Sequence, residues 1–416
     1  MDETKRQLME WIDEDRDRLI TFLSQFVQAK SPNPPGDTRE AAAHVTGFLD
    51  DADLPYRVID PMPEFPNIVA SFEGGTPGKH LVLNGHIDCF PVAEHETWTH
   101  GGPWSGAVAD GKIWGRGAAD MKCGTTASIF TFAYLYRIRD QLKGKLTLTA
   151  VSDEETFGPW GARYLMEHHP EIHGDCCLNG EPSSPLSIRF GEKGPLWLKF
   201  TVRTAGAHGA YTHVSESASK IGARLVLALE RLSDLDTPPP GNVGEVLAKA
   251  AATIDRAQGQ GASEALQRIT VNIGMLQAGL KVNMIPSECL IEADLRLPVG
   301  VDKADVLAAV DDIVSAYPQV TYEEINYSAP SWCDPEHDMV GIIQANAKAL
   351  GGTEPQAICS LGGTDTRLWR YIGVPAYVYG PFPIGMGAGD EHVPIEDFLH
   401  IVRTHVLSAY DYLTSS

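Results

Sequence analysis

No run of about 18 apolar residues occurs anywhere in the 416-residue chain, which excludes a helix built to span a bilayer. Positive charge is scarce. The 33 Lys and Arg against 55 Asp and Glu leave a formal net charge of -22, so no nucleic-acid or anionic-membrane partner is expected. Cysteine is sparse and unpatterned: positions 89, 123, 176, 177, 289, 333 and 359 are odd in number and show no Cys-x-x-Cys spacing. That argues against a disulfide framework and for a reducing, cytoplasmic setting. The start of the chain lacks the basic-then-apolar order of a secretory signal. There Leu8, Trp11, Ile12, Leu19, Ile20, Leu23 and Val27 recur at helical spacings, predicting one amphipathic helix stopped by the stretch from Pro32 to Gly36.

What is present is ordinary globular composition, 43% hydrophobic and 21% charged, on a chain long enough for two domains. From residue 65 to about 193, apolar strand candidates ("NIVASFE", "HLVLNGHID", "KLTLTAVS", "DCCLNGE") alternate with helical stretches. This alternation predicts an α/β domain around a mainly parallel sheet. Past Gly194 the pattern becomes β-α-β-β-α-β, the order of a ferredoxin-like α+β unit, interrupted by a long polar connection, "SDLDTPPPGNVGEVLAKAAATIDRAQGQGASEAL", with its own helical patch. After about Ala329 the α/β pattern resumes. The expected organisation is residues 1–193 and 330–416 as the two parts of one α/β domain, with 194–329 inserted as a second domain.

Chemistry enters at the strand ends. "LVLNGHID" begins as a buried strand and then places His86 and Asp88 two positions apart. Alone, such a pair is ordinarily a satisfied core histidine. But "LTLTAVSDEETFG" runs into Glu154 and Glu155, "CCLNGEP" ends on Glu181, "GRGAADMKCG" carries Asp120 in a Gly-rich loop, and "GAGDEHVP" carries His392. In open α/β sheets sites form outside the carboxyl ends of strands. Two histidines and four carboxylates at that edge, if unpaired, would cost several kcal/mol each. A divalent cation removes the conflict, and the mixed imidazole and carboxylate set suits zinc, and also manganese or cobalt. Asp88, two residues from His86, is placed to accept the other ring N–H. Adjacent Glu154 and Glu155 cannot both face one metal from an extended backbone, so one ligates and the other holds a proton.

Taken together, "NGHID", "GRGAADMK", "DEETFG", "NGEPS", "GGTDTR" and "GDEHVP" resemble the metallopeptidases and deacylases that include acetylornithine deacetylase, succinyl-diaminopimelate desuccinylase, aminoacylase and glutamate carboxypeptidase. The resemblance covers nearly the whole chain. It implies one or two divalent ions, with His86 and Glu181 on one, Glu155 and His392 on the other, and Asp120 bridging. It further implies 1–193 and 330–416 as the catalytic domain, 194–329 as a lid and dimerisation domain, Glu154 as general base, and His208 as a lid histidine that reaches a partner subunit's site, hence a homodimer. Asn283 and Arg296 resemble residues that contact a substrate carboxylate, and Gly363 and Thr364 resemble a substrate-binding loop; Arg367 receives no role.

Two departures stand out: Gly209, Ala210, Tyr211, Thr212 and His213 replace the small residues and proline usual after the lid histidine, and Cys123 stands where glycine is usual. The activity implied is amide C–N hydrolysis of a carboxylate-bearing small molecule, an N-acyl amino acid or small peptide-like substrate. The aromatic residues Trp98, Trp104, Trp114, Trp160, Tyr211 and Trp369 keep hydrolytic deamination of an amino-aromatic acid open as the alternative on the same metals.

Overall fold

In the computed structural model, which describes residues 2–415, the run Leu81-Val82-Leu83 lies in the strand Thr76–His86 at the centre of a mixed sheet. The outermost residues of the expected ranges, 1 and 416, lie outside the described residues. The sheet order is Arg57–Ile59, Asn67–Glu73, Lys143–Val151, Thr76–His86, Cys176–Asn179, Ala376–Val378, Ser187–Glu192, and Gln356–Ser360 pairs with the last of these. From Lys143–Val151 to Ala376–Val378 neighbours pair in parallel, and on either side the pairing turns antiparallel. The parallel strands become buried and apolar where both faces are covered, at Leu81 to Leu83 in the central strand and at Leu146 and Leu148 beside it. Helices Cys123–Arg137 and Ile395–Thr414 pack on one another and on the Thr76–His86 strand, while Trp369, Leu165 and Ile172 fill a second cluster with Val82 and Cys177.

The chain divides into two compact units. One comprises Met1–Phe190, Cys333–Ile358 and Thr364–Ser416, the other Gly191–Trp332 and Cys359–Gly363. The second unit has a four-stranded antiparallel sheet ordered Thr270–Ala278, Glu288–Leu297, Gly194–Arg203, Val320–Tyr327, with helices Ala218–Leu229 and Lys303–Ser315. Glu288–Leu297 alternates strictly in burial, and its inward residues Ile291 and Leu295 meet Leu196, Leu198, Phe200, Val202, Leu225 and Val310 in one core. One face of this sheet is therefore covered by the two helices, the ferredoxin-like arrangement. The polar connection forms three short helices, Val243–Lys249, Ala251–Gln258 and Ala262–Ala265.

The expected single N-terminal helix is two, Glu3–Glu14 and Arg16–Gln28. Six consecutive charged residues, Asp13 to Arg18, separate Ile12 from Leu19, so no apolar side chain there holds a continuous helix to the core, and the backbone leaves helical geometry at Asp15 (φ -83, ψ 7). Unanticipated were the helix Arg39–Asp51 and a small sheet in which Lys112–Trp114 pairs with both Ala107–Ala109 and His392–Pro394. None of the seven cysteines is in a disulfide, and among the described residues no helix is long and apolar enough to cross a membrane.

Phe200 is fully buried in the second unit's core. Phe200→Ala is expected to cost that unit about 3–5 kcal/mol. Hydrogen exchange during urea unfolding should show the loss in Gly194–Arg203 and leave the Thr76–His86 strand unchanged; equal losses in both strands would show that the two units unfold as one.

Candidate metal centre

Three parallel strands end at the same height and deliver the first residues of the centre. Asn84 sits opposite both Thr149 and Asn179, and a ladder of side-chain hydrogen bonds runs across the three: Asn179 Nδ2 to Asn84 Oδ1 (2.9 Å) and Asn84 Nδ2 to Thr149 Oγ1 (3.1 Å). Just beyond it come His86, the loop of Glu154 and Glu155, and Glu181, whose backbone N–H is held by Asn179 Oδ1 (2.7 Å). The helix carrying the Asp120 loop approaches closely because Gly124 and Gly180 face each other: a Cβ on Gly124 would lie 2.1 Å from the Gly180 carbonyl oxygen. Any side chain there would push the loop off the strand ends.

His86 Nε2 lies 3.1 Å from Glu181 Oε1, 3.4 Å from Asp120 Oδ1 and 3.9 Å from Glu154 Oε2. None of these contacts is a formed hydrogen bond: His86 Nε2, Asp120 Oδ1, Glu154 Oε1 and Glu155 Oε1 are all buried without a partner. Two sets of side chains present ligand atoms within 4.8 Å of one another, His86 with Asp120 and Glu155, and His86 with Glu154 and Glu181. Buried polar atoms are normally paired. Four orphaned donor and acceptor atoms from four side chains, with Glu181 converging on the same place, fit a divalent cation, and the imidazole and carboxylate set fits zinc or manganese.

The electrostatics point the same way. Burial opposes a charged His86, yet Glu181, Asp120 and Asp88 outweigh it and hold the imidazole well above its usual pKa. Burial first, then Asp365, pushes Glu154 well above the carboxylate range; for Glu155 it is burial, then Asp120. Glu181 is pushed up to about 7 by burial and by Asp120. With no cation the cluster retains protons, and a cation would replace them.

Asp88 requires a correction. The ring Nδ1 of His86 bonds the Asp88 main-chain carbonyl (2.9 Å), while the nearer carboxylate oxygen is 3.5 Å away. The strand ends at His86, and the turn that follows directs the Asp88 side chain to Asn33 Nδ2 (2.9 Å) and to the backbone N–H groups of Glu154 (3.3 Å) and Glu155 (3.1 Å). Asp88 thus fixes the ring through its backbone and the two glutamates through its carboxylate.

His392 belongs to neither set. Its Nδ1 bonds Asp390 O (2.8 Å), its ring packs on Trp114, and its strand pairs with Trp114. Its neighbour Glu391 links it to the centre: Glu391 Oε1 accepts from Ala119 N and Asp120 N (both 3.1 Å), and Oε2 accepts from the buried Arg116 (2.8 Å), whose other nitrogen reaches Glu96 (2.7 Å). Neither Glu391 nor Arg116 was singled out from sequence, although each lies inside a motif that was. Arg367 was also missed. Its buried guanidinium lies 3.5 Å from Glu154 Oε1, stacks over Phe157 at 4.5 Å, and donates to Thr364 O (2.5 Å). Among the aromatic residues, Trp369 is core packing and Trp98 faces Arg116. Cys89 and Cys123 are buried, and burial raises both thiols, so neither offers a thiolate.

In the second unit, His208 and Asn283 come together. His208 pairs with Met284 in a two-residue ladder, Gly209 N donates to Asn283 O (2.8 Å), and both side chains are exposed. Arg296 is elsewhere, at the far end of Glu288–Leu297, where Asp294 holds its guanidinium (2.9 Å). At about 3.4 Å per residue the strand separates Arg296 from the Asn283 end by roughly 27 Å, so one copy does not bring this pair together. Gly363 closes the segment Cys359–Gly363, and Thr364 is buried at the start of the turn leading to Arg367.

A parallel-centred α/β unit with a histidine and four carboxylates at its strand ends, interrupted by a ferredoxin-like insertion, is the architecture of a metal-dependent amide hydrolase. Residues 82–410 match peptidase family M20/M25/M40, and the chain belongs to that family. It is similar to the succinyl-diaminopimelate desuccinylase of Gluconacetobacter diazotrophicus, 29% identical over 94% of this chain and 95% of that protein, and to that of Methylorubrum extorquens, 28% identical over 84% and 86%. Among solved structures, an M20 family metallo-carboxypeptidase from Sulfolobus solfataricus (TM-score 0.79, 19% identity, 99% of each chain) and human carnosine dipeptidase 1 (TM-score 0.77, 14% identity, 100% of each chain) share the fold.

Because Glu181 titrates at about 7 and His86 above its usual range, cation binding to metal-free protein must expel protons. Apparent affinity for zinc or manganese is therefore expected to rise as pH increases through about 7 and to flatten once these groups have lost their protons. Calorimetric titrations between pH 6 and 8.5, in buffers of different ionisation enthalpy, should show proton release that shrinks across the range. A pH-independent affinity would contradict the cluster's protonated state.

Proposed function

We propose that the chain hydrolyses the amide C–N bond of an N-acyl amino acid or small peptide-like substrate bearing a carboxylate. The observation that carries this reading is the setting of Glu154: buried beside His86, with Oε1 lacking a hydrogen-bond partner and Arg367 3.5 Å away. One or two divalent ions, Zn2+ first and Mn2+ or Co2+ as alternatives, would be held by His86, Asp120, Glu155, Glu181 and His392, and would supply the Lewis acidity that acidifies water and polarises the scissile carbonyl. Glu154 takes the water's proton and delivers it to the leaving nitrogen. Asp88, gripping the backbone of both glutamates, and Arg367, beside the carboxylate, keep Glu154 in one orientation.

Recognition belongs to Asn283, Arg296, Gly363 and Thr364, and His208 donates to the oxyanion. The strand that intervenes between Asn283 and Arg296 supports a homodimer, in which one copy supplies Arg296 and the other supplies Asn283 and His208 to the same substrate. The exposed Leu280 and Val282 beside Asn283 offer apolar surface to such a pairing. Relatives named as desuccinylases support an N-acyl amino acid as the substrate class. A cytoplasmic setting is part of the same reading, supported by the free thiols.

A panel of N-acyl amino acids, dipeptides and amino-aromatic acids, assayed with zinc, manganese and cobalt, tests the chemistry. A free carboxylic acid or amino acid as product is expected; ammonia would replace the amide reading with deamination. Glu154→Gln should keep the wild-type metal content and lower kcat by ~100-fold or more, because it preserves shape and removes the proton acceptor. Near-normal kcat would take the base role from Glu154.

The dimer reading has its own test. Glu154→Gln and His208→Ala chains, each inactive alone, should regain activity when co-expressed with two tags and purified as mixed dimers. One site of such a dimer combines an intact Glu154 with a His208 from the other chain. Mixed dimers no more active than either parent would confine His208 to its own subunit.

A further inference from the structure

The helical connection 236–268 has no part in the chemistry above, yet one of its side chains binds the backbone that leads into the candidate substrate loop. Gln258, the last residue of Ala251–Gln258, donates from Nε2 to Cys359 O (2.8 Å) and accepts at Oε1 from Leu361 N (3.0 Å). A single side-chain amide thus pairs with the loop as a neighbouring strand would. The same stretch is held from its other side: Lys193 N donates to Ser360 O (2.9 Å), and Gly362 N donates to Ser360 Oγ (3.2 Å).

Lys193 closes the circuit. Its buried ammonium donates to Ala265 O (2.8 Å), Arg268 O (2.7 Å) and Thr270 Oγ1 (3.1 Å), which fixes the far end of the connection to the residue whose own backbone holds Ser360. These contacts explain why Cys359–Gly363 groups with the second unit although residues on both sides of it belong to the first. Two residues further along the chain from Leu361 comes Gly363, then Thr364, whose carbonyl oxygen accepts from Arg367.

We propose that Gln258 is a positioning residue for substrate binding: it sets the backbone of Cys359–Leu361 and thereby the placement of Gly363 and Thr364 against the substrate. This rests on the reading of Gly363 and Thr364 as substrate contacts. The connection is then a recognition element in its own right, and its sequence tunes which acyl or peptide-like group the loop accepts. Gln258 touches neither the metal ligands nor Glu154, so its effect falls on binding rather than on bond cleavage.

Gln258→Met keeps the side chain's length and removes both hydrogen bonds; Gln258→Ala removes packing as well. Both are expected to raise KM for the best substrate of the panel by ~10-fold, with kcat within ~2-fold and metal content unchanged. Hydrogen exchange of the peptide covering 359–367 should lose protection in both variants. Ile254→Ala, which empties a buried position of the same helix, serves as the control for general loosening.

If Gln258→Met matches wild type in KM, or if Ile254→Ala raises KM as much at equal thermal stability, Gln258 does not position the loop for substrate. Unchanged exchange in Gln258→Met would overturn the contact itself. A wild-type enzyme that turns over no amide in the panel would overturn the functional reading instead, while the exchange experiment would still decide whether Gln258 orders the loop.

Discussion

Four carboxylates crowd one buried imidazole, and the arrangement of the first unit follows from making that tolerable. Removing Asp120, Glu154, Glu155 and Glu181 from water costs several kcal/mol each unless a positive charge compensates. Among the described residues, His86 is the only cationic side chain within 4 Å of Asp120, Glu154 and Glu181 together, and one imidazolium cannot balance them. The remaining compensation is reserved for a cation, and the neighbouring residues hold the acids in place for it. Asp88 grips the backbone of Glu154 and Glu155, Asn179 that of Glu181, and Glu391 that of Asp120. None of these supports relies on the acidic side chains themselves, which stay available as ligands.

This explains a division of labour along the chain. The acids and His86 stand on strand ends and on loops held to them, where the hydrogen-bonded ladder beneath allows little movement. The residues proposed for recognition, Thr364 apart, lie in the inserted unit, on and beside a two-residue ladder, on a strand end and in a loop that Gln258 clamps. Chemistry that is common to a family sits on the rigid element, and contacts that differ between substrates sit where insertions are tolerated.

Much of this was legible in particular residues. The apolar run before His86 announced a buried parallel strand, and the β-α-β-β-α-β order past Gly194 announced the second unit, because both signals depend only on local periodicity. Legibility stopped where contacts skip along the chain. The N-terminal helix was read as one because its apolar stripe resumes after the charged run 13–18, and only packing decides whether the helix bridges that gap. Asp88 was assigned to the His86 ring by proximity in sequence, but the turn after the strand sent its carboxylate to Glu154 and Glu155. Arg116, Glu391 and Arg367 were invisible as partners because their distances in sequence from what they touch, 213 residues between Glu154 and Arg367 for example, carry no periodic signal.

By itself the sequence determined which residue types stand at the strand ends, that their chemistry suits a cation, and that a second α+β unit interrupts the first. Those conclusions need only chemistry and spacing, which are local. The tertiary structure alone decided that His86 faces Asp120, Glu154 and Glu181 at once, that Glu391 rather than a nearer acid braces Asp120, that Arg296 lies at the end of Glu288–Leu297 far from Asn283, and that a glutamine from a connecting segment braces the loop before Thr364. Each of these is a meeting of residues distant along the chain, and such meetings are set by strand register, helix packing and the burial of polar groups that must find partners.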